Sequence, residues 1–371
     1  MKTTIINKIS ESLAMTVVVV GLFCSCEDAY DVTVPEFEVK LQEGEYYEGD
    51  AVRFEITGNA DLVSFFSGEV GHDMDYYGCD RYTGVGELIA TFKSIFYDST
   101  PNAPTTGFGN STMSPIDENG KLRARMMVST DFSGEKGIGF YHGLTDREGY
   151  SKEAIQAATW IDVSDRFQWG TTVKRSDTDG DTDSGYGNLT DLVVDGRPMY
   201  IAFVLNMPAF EGTQDTKRLR FSIFEFRFKA YPEEGDPIEI FTHALKNDFL
   251  PAHFGPFPMK EDGVTPNTSR LNIFGGARGQ IYFNSPADQP ITEPYQMWAI
   301  SKPINVPSEK INIGPDWGLP IKAFHEPTLT GHSHIYEKAG TYKAVFLATN
   351  ANSKEQYNIT REVTVTIKKR P

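Results

Sequence analysis

Short runs in which apolar and polar residues alternate recur along most of the chain. Apolar residues occupy every second position over 37–41 and 52–56, with Gly- and Asp-containing turns between them, and a third apolar run covers 62–66. An alternation with period two places one face of a strand against a core and the other in water. The first part of the chain therefore predicts three half-buried antiparallel strands.

The C-terminal end shows the same pattern. A strand-like run begins at Gly340, a polar turn follows at 350–353, and a second alternating run covers 363–367. Three strands at one end and two at the other are each too few for a stable sandwich. We therefore predict one immunoglobulin- or PKD-like sandwich, built from residues 35–83 and 319–371.

The segment between these ends, residues 84–318, is also rich in strand patterns. Its clearest runs lie at 122–128, 199–205 and 295–300. Phe224, Phe226 and Phe228 alternate with charged residues and are predicted to share one face of a strand. Only residues 151–158 read as a helix. Many short strands in a segment of this size predict an inserted jelly-roll β-sandwich, so the fold class is all-β.

The N-terminus carries a targeting pattern. Two lysines precede an apolar run at 13–23 that is too short for a transmembrane helix. The small residue Ser25 then stands directly before Cys26, as in a bacterial lipobox, whereas bulky Phe23 precedes Cys24. We predict that residues 1–26 comprise a lipoprotein signal peptide and lipobox with Cys26 as the lipidation site. An ordinary secretory signal with incidental cysteines is the alternative.

Lipidation of Cys26 places the protein on a membrane. Several acyl chains on one residue give stable anchoring, where one chain alone is marginal. Glu27 and Asp28 follow at once and resemble the surface-export signal of some Gram-negative commensals. We therefore expect an outer-membrane protein that faces the cell exterior, with residues 27–34 as a tether.

Cysteine content and charge narrow the classes of function. Cys24 leaves with the signal and Cys26 carries lipid, so Cys79 stands alone and neither a disulfide framework nor a multi-cysteine zinc site is possible. The formal net charge of −16 repels phosphate backbones and disfavours nucleic-acid binding. Acidic polysaccharides need a local basic patch, and neutral ligands stay open.

One loop has a cation-binding pattern. Its alternating carboxylates are Asp177, Asp179, Asp181 and Asp183. Such oxygens can converge on one hard cation, so calcium is the predicted cofactor. The loop is not an EF-hand, because Asn188 stands at the twelfth position in place of an acid, and no helix pattern flanks it. A solvated acidic turn is the alternative.

Carbohydrate binding uses aromatic faces that stack on sugar rings and a few polar groups that fix hydroxyls. The leading candidates lie in loop-like, Gly-rich contexts: Trp169, Tyr186 and Trp317. Tyr76 and Tyr77 are further candidates. Trp160 and Trp298 lie in strand patterns and are predicted to be core residues. Packing is the alternative for each loop aromatic.

Several stretches together resemble domain-of-unknown-function family 5017, surface lipoproteins of gut commensals. They are DVTVPEF at 31–37, FFSGE at 65–69, GH at 71–72, VSTDFSG at 128–134, AATWIDV at 157–163, DGRPMYIAF at 195–203, WAISKP at 298–303 and GTY at 340–342. The second and third sandwich strands and the last hairpin resemble PKD-type domains. The STDF and WIDV pieces resemble galactose-binding-like jelly rolls. The resemblance implies a protein encoded beside an outer-membrane glycan importer, and it carries over no catalytic residues.

The sequence contains no nucleophile elbow, phosphate loop or HExxH motif, and no spacing selects a pair among its 51 acids. We therefore expect a non-enzymatic surface lipoprotein. The main hypothesis is that the inserted domain binds a polysaccharide or oligosaccharide and the split sandwich acts as a spacer. The alternative is a structural or adhesin-like protein that binds outer-membrane partners such as the importer complex. A hydrolase with an unrecognised acid pair is the third hypothesis.

Overall fold

The computed structural model describes residues 31–97, 114–141, 144–174, 180–209, 220–255, 271–284 and 293–371. The chain forms two compact units. The split unit combines the chain up to Arg81 with Gly314–Pro371, and the inserted unit is Tyr82–Ile313. The sequence predicts the domain boundaries at 83/84 and 318/319.

Strands make up nearly all the regular structure of the described residues, which confirms the all-β fold class. The first four are β1 Glu36–Leu41, β2 Tyr46–Tyr47, β3 Ala51–Asn59 and β4 Leu62–Phe66. The next eight are β5 Arg81–Tyr97, β6 Ala124–Ser129, β7 Lys136–Tyr141, β8 Leu144–Tyr150, β9 Ile161–Asp162, β10 Val173–Lys174, β11 Thr182–Asp183 and β12 Gly187–Asn188. Eight more are β13 Tyr200–Met207, β14 Arg220–Pro232, β15 Ile238–Thr242, β16 Phe249–Phe254, β17 Leu271–Phe274, β18 Gln280–Asn284, β19 Tyr295–Ser301 and β20 Lys310–Gly314. The last are β21 Leu319–Lys322, β22 Gly331–Ile335, β23 Gly340–Ala351 and β24 Gln356–Lys368.

The split unit consists of two sheets that share one core. Their strand orders are β1-β3-β22 and β2-β24-β23-β4-β21. On β3, Val52, Phe54 and Ile56 are buried while their neighbours are exposed, as the alternation predicted. The Phe54 ring lies 5.1 Å from the ring of Phe346 on the other sheet. Strands from both ends of the chain are therefore needed to close this core.

The inserted unit also has two main sheets. The larger has nine strands, with a main path β10-β5-β14-β18-β17, and the smaller has the order β16-β19-β13-β6-β9. Their inner faces form one large core, in which Phe203 of β13 lies 5.2 Å from Phe92 and 5.5 Å from Phe226. Each fully buried Phe contributes about 1.5–3 kcal/mol of transfer free energy. PKD-like and jelly-roll connectivities stay predictions.

A third layer covers part of the smaller sheet. It contains the β7–β8 hairpin and helix α1, Lys152–Ala157, which confirms the single predicted helix. The Ser151 side chain accepts a hydrogen bond from the Ala154 amide and caps the helix N-terminus. Ile155 is buried beside Trp298 and Phe132 in a separate apolar cluster. No described helix has both the length and the apolar character to cross a membrane.

The predicted common face for Phe224, Phe226 and Phe228 is wrong. Phe226 and Phe228 point into the main core, whereas Phe224 packs on the opposite side of the sheet with Ile95. The register of β14 against β5 shifts between Phe224 and Arg227, and Glu225 adopts a φ of 52°. This β-bulge inserts one residue. The side chains after it therefore point to the opposite side of the sheet from the side they would occupy in a regular strand.

Candidate functional site

A cleft of about 450 Å³ lies on the outer face of the larger sheet of the inserted unit. We call it the sheet cleft, and it is lined by Ile89, Thr91, Asp183, Gly185, Tyr186, Arg227, Lys229 and Tyr231. On β5, Leu88, Ala90 and Phe92 face the core, so Ile89 and Thr91 between them form the floor of the cleft. The volume is typical of a site for a small ligand.

The bulge in β14 supplies the second row of cleft residues. Because Phe226 turns inward after Glu225, Arg227 and Lys229 turn outward. In the sheet register Arg227 stands opposite Thr91 and Lys229 opposite Ile89. The bulge therefore delivers two cationic side chains to the same outer surface.

Tyr186 stands on a turn that is fixed to the sheet. Tyr186 is 77% accessible to solvent. Before it, buried Ser184 exchanges hydrogen bonds with Phe92: the Phe92 amide donates to the Ser184 hydroxyl at 2.8 Å and the Ser184 amide donates to the Phe92 carbonyl at 2.9 Å. Gly185 follows with a φ of 67°, a conformation that glycine adopts without strain. The aromatic side chain is thus presented in solvent by an ordered turn.

The side chains that line the sheet cleft carry a net positive charge, although the protein as a whole is acidic. Its charged residues are Arg227, Lys229 and one acid, Asp183. Arg227 lies 3.8 Å from Glu239 in an exposed ion pair, and no carboxylate of the described residues pairs with Lys229. Arg and Lys are hydrogen-bond donors without acceptor capacity, and Asp183 is an acceptor. The cleft therefore offers both kinds of partner to hydroxyl groups.

A second cleft of about 460 Å³ lies on the outer face of the smaller sheet, beyond the covering layer. Its polar groups bind one another. Trp298 donates its indole N–H to Gln296 at 3.0 Å, Gln296 donates to Asn206 at 2.8 Å, and Arg125 pairs with Asp162. Since these groups already have partners, the second cleft offers fewer free polar positions than the sheet cleft.

The two acids of the second cleft are both held ionised. Burial opposes ionisation of Asp162, but hydrogen bonds from Ser164 and Arg125 outweigh it and keep its pKa below the ordinary value. Hydrogen bonds from backbone amides, that of Lys121 first, lower the pKa of Asp117. A general acid of a glycosidase needs a raised pKa. Neither carboxyl meets that requirement.

The predicted ligand-binding aromatics lie in different places. Tyr186 lines the sheet cleft, while Trp317 is 58% exposed on the split unit, together with Tyr76 and Tyr77. Trp169 is half-buried against the main core of the inserted unit, with its ring 4.9 Å from Phe92. Its indole N–H donates to a backbone carbonyl at 2.8 Å. Trp169 thus packs in the core rather than lining either cleft.

The two strand tryptophans are packing residues, as expected. Trp298 is 8% exposed and its ring lies 5.3 Å from that of half-buried Trp160. The Trp160 indole N–H donates to the Ile155 carbonyl at 3.0 Å.

The acidic loop is only partly within the described residues, since Asp177 and Asp179 lie outside them, as does Cys26. Asp181 pairs with Arg278, and Asp183 accepts a hydrogen bond from the Gly185 amide at 2.9 Å. In the described part of the chain no three His, Cys, Asp or Glu side chains form a metal-binding group. These two acids do not by themselves make a calcium site.

Sequence reasoning missed the strand-borne half of the sheet cleft. Arg227, Lys229 and Tyr231 repeat with period two, which marks a shared face of β14. That signal was available, but the pairing that places them beside Thr91 and Tyr186 joins distant parts of the chain. Attention to polar faces of strands, besides loops, would have found them.

Comparison with known proteins places the chain in a family. The family described as Domain of unknown function (DUF5017) matches residues 25–247. The match covers more than half of the chain, so the protein belongs to this family. No curated protein and no solved structure matches the chain.

Proposed function

We propose that this protein is a non-enzymatic, lipid-anchored surface protein that binds glycans through the sheet cleft of its inserted unit. The observation that carries the proposal is Tyr186. Its ring is 77% exposed on an ordered turn at a polar cleft. An exposed aromatic face carried on an ordered turn of the backbone can stack on a sugar ring.

The other cleft residues suit the same ligand class. Tyr231 provides a second aromatic surface, and Arg227 and Lys229 donate hydrogen bonds to hydroxyl groups. Asp183 accepts hydrogen bonds from such hydroxyl groups. The net positive charge of the lining also favours binding of a carboxylated sugar, a ligand class that the overall charge of −16 otherwise disfavours.

The cleft chemistry supports binding without hydrolysis. Glycoside hydrolysis needs two carboxyl groups across the scissile bond. Asp183 is the one carboxylate in the described lining of the sheet cleft. In the second cleft both acids have lowered pKa values and so lack a proton to donate at neutral pH.

The lipid anchor and the location at the cell surface, both predicted from the sequence, belong to this proposed function. Lipid on Cys26 holds the protein at the outer membrane, and residues 27–34, which precede the first strand in the sequence, serve as the predicted tether. Glu27 and Asp28 direct it to the exterior, where it delivers glycan to an outer-membrane importer. Membership of a family without assigned function neither adds to nor removes from this part of the proposal.

Affinity electrophoresis of residues 27–371 tests the proposal. Gels carry xylan, glucomannan, laminarin, starch or polygalacturonan, and each is run with and without a calcium chelator. Retardation by a glycan in wild type that is reduced in Tyr186→Ala is the expected result. The matched control is Tyr357→Ala, since Tyr357 is a 40% exposed tyrosine on β24 of the split unit. Loss of retardation with chelator shows that glycan binding needs calcium and implicates the Asp177–Asp183 loop.

Two other results contradict the proposal. No retardation in any gel favours the structural or adhesin-like alternative, and co-purification with outer-membrane proteins then tests that alternative. Release of reducing sugar from a glycan shows a hydrolase instead.

A further inference from the structure

The split unit exposes three aromatic rings in one place. Tyr76 is 37% exposed, Tyr77 46% and Trp317 58%. The rings of Tyr77 and Trp317 are 6.0 Å apart at 84°, and the Phe66 ring lies 5.3 Å from Tyr77 on the core side. We call Tyr76, Tyr77 and Trp317 the aromatic platform. Clustered exposed aromatics mark binding surfaces more often than isolated ones do.

A buried carboxylate holds the platform together. Asp316 is 1% exposed, and its Oδ2 accepts hydrogen bonds from the amides of Gly71 at 3.0 Å and Asp73 at 2.9 Å. The same oxygen accepts from Arg81 at 3.1 Å. The Arg81 guanidinium in turn lies over the Tyr76 ring, 4.3 Å from its centroid.

Backbone contacts fix the Trp317 side of the platform. The Trp317 amide donates to the Gly71 carbonyl at 2.9 Å, and the His72 Nδ1 lies 2.7 Å from the Trp317 carbonyl oxygen. At the start of this loop Gly68 has a φ of 84° and approaches the backbone of Lys343 so closely that a Cβ would lie 2.8 Å from its nitrogen. The exposed rings therefore stand on an ordered loop.

Trp317 differs from the other three tryptophans. The indole N–H groups of Trp160, Trp169 and Trp298 each donate to an acceptor inside the protein. Among the described residues the Trp317 indole N–H has no such acceptor. Its ring face and its donor are both available to a ligand. An aromatic face with an adjacent donor suits a sugar ring with its hydroxyl groups.

The charges around the platform select the ligand class. The acids are Asp73, Asp75, Asp80 and Asp316, and the bases are Arg81 and Lys343, which already pair with Asp316 and Asp75. Four acids against two bases leave a formal balance of −2. This field repels carboxylated sugars and phosphate groups. A neutral saccharide is the class that fits.

We propose that the aromatic platform is a second saccharide site, specific for neutral glycans, in the split unit, for which the sequence predicts the role of a spacer. It is separate from the sheet cleft, which lies in the inserted unit and has a positive lining. The two sites differ in charge and therefore in the sugars they favour.

Indole NMR of the mature protein tests this site directly. Tryptophan labelled with ¹⁵N gives one indole signal for each of the four tryptophans, and Trp317→Phe assigns the one of interest. The probes are cellohexaose, xylohexaose, mannohexaose and laminarihexaose, with hexagalacturonate as the acidic counterpart. We expect at least one neutral hexaose to shift the Trp317 signal, the other three signals to stay in place, and hexagalacturonate to leave Trp317 unmoved.

Two variants separate this site from the sheet cleft. We expect Tyr186→Ala to show the same change of the Trp317 signal, at the same hexaose concentration, as wild type. The NMR result for the platform therefore does not depend on the proposed function of the sheet cleft. Tyr77→Ala weakens binding of the neutral hexaose at least about tenfold, while Tyr357→Ala leaves its affinity unchanged. The inference is overturned if no neutral hexaose moves the Trp317 signal at millimolar concentration, or if hexagalacturonate moves it.

Discussion

Removal of the Asp316 carboxylate is the sharpest test of how the split unit is held together. The carboxylate side chain is 2% exposed and its Oδ2 serves two backbone amides and the Arg81 guanidinium. In Asp316→Ala all three donors lose this acceptor. Arg81, whose side chain is 12% exposed, still has the Asp73 carboxylate at 3.9 Å.

The expected cost follows from these contacts. Removing one partner of a buried ion pair costs about 3–5 kcal/mol. The remaining Asp73 and the partial exposure of Arg81 reduce this, so we expect a loss of about 3 kcal/mol in the free energy of unfolding of the split unit. Asp75→Ala is the control, because the Asp75 side chain is 63% exposed and its pair with Lys343 is open to solvent. That change costs about 0.5 kcal/mol.

Urea unfolding followed by tryptophan fluorescence measures both changes. Trp317 is the single tryptophan of the split unit, since Trp160, Trp169 and Trp298 belong to the inserted unit. The difference between curves with and without Trp317→Phe therefore isolates the split unit. If Asp316→Ala and Asp75→Ala shift this transition equally, the buried carboxylate does not stabilise the unit as argued.

Three further experiments test the packing of Phe203, the titration of His243 and the exposure of Cys79. Phe203→Ala leaves a cavity between the two sheets of the inserted unit and lowers its unfolding free energy by about 3–5 kcal/mol, whereas Phe274→Ala, at a 47% exposed position, costs under about 1 kcal/mol by the same urea measurement. Burial lowers the pKa of His243, so the unfolded chain binds a proton at this residue before the folded chain does as pH falls below 6.5. We therefore expect thermal unfolding at decreasing pH to show a loss of stability of the inserted unit, and His243→Gln to reduce that loss. An equal loss in both proteins would show that His243 is not its source. Cys79 is free and exposed, so a maleimide labels the folded mature protein once; absence of labelling before denaturation contradicts this.

Strand positions were predictable because the alternation of apolar and polar residues is a local signal. Val52, Phe54 and Ile56 on β3 fall on the buried face as their spacing requires. The face of Phe224 was not predictable in this way. The bulge at Glu225 depends on the partner strand and on backbone contacts such as the Glu225 amide to the Arg278 carbonyl at 2.8 Å, which the local pattern does not contain.

The candidate sites were predictable to a similar extent. The Gly-rich contexts of Tyr186 and Trp317 identified two exposed rings correctly as loop residues. Trp169 has the same kind of context, but its ring packs against Phe92 of β5. The partners of Tyr186 in the sheet cleft come from β14, which joins β5 by long-range pairing. Such pairing depends on tertiary structure and leaves little trace in a single sequence.

Calorimetric titration of the sheet cleft tests the central claim most directly. The glycan that retards the mature protein most strongly is cut to oligosaccharides and titrated in a Trp317→Ala background, so that the aromatic platform does not contribute. The background protein is compared with the same protein carrying Tyr186→Ala or the exposed-surface control Tyr357→Ala. We expect Tyr186→Ala to weaken binding at least about tenfold, equivalent to about 1.4 kcal/mol, with the control equal to the background protein. A Tyr186→Ala affinity equal to that of the background protein would contradict binding at this cleft.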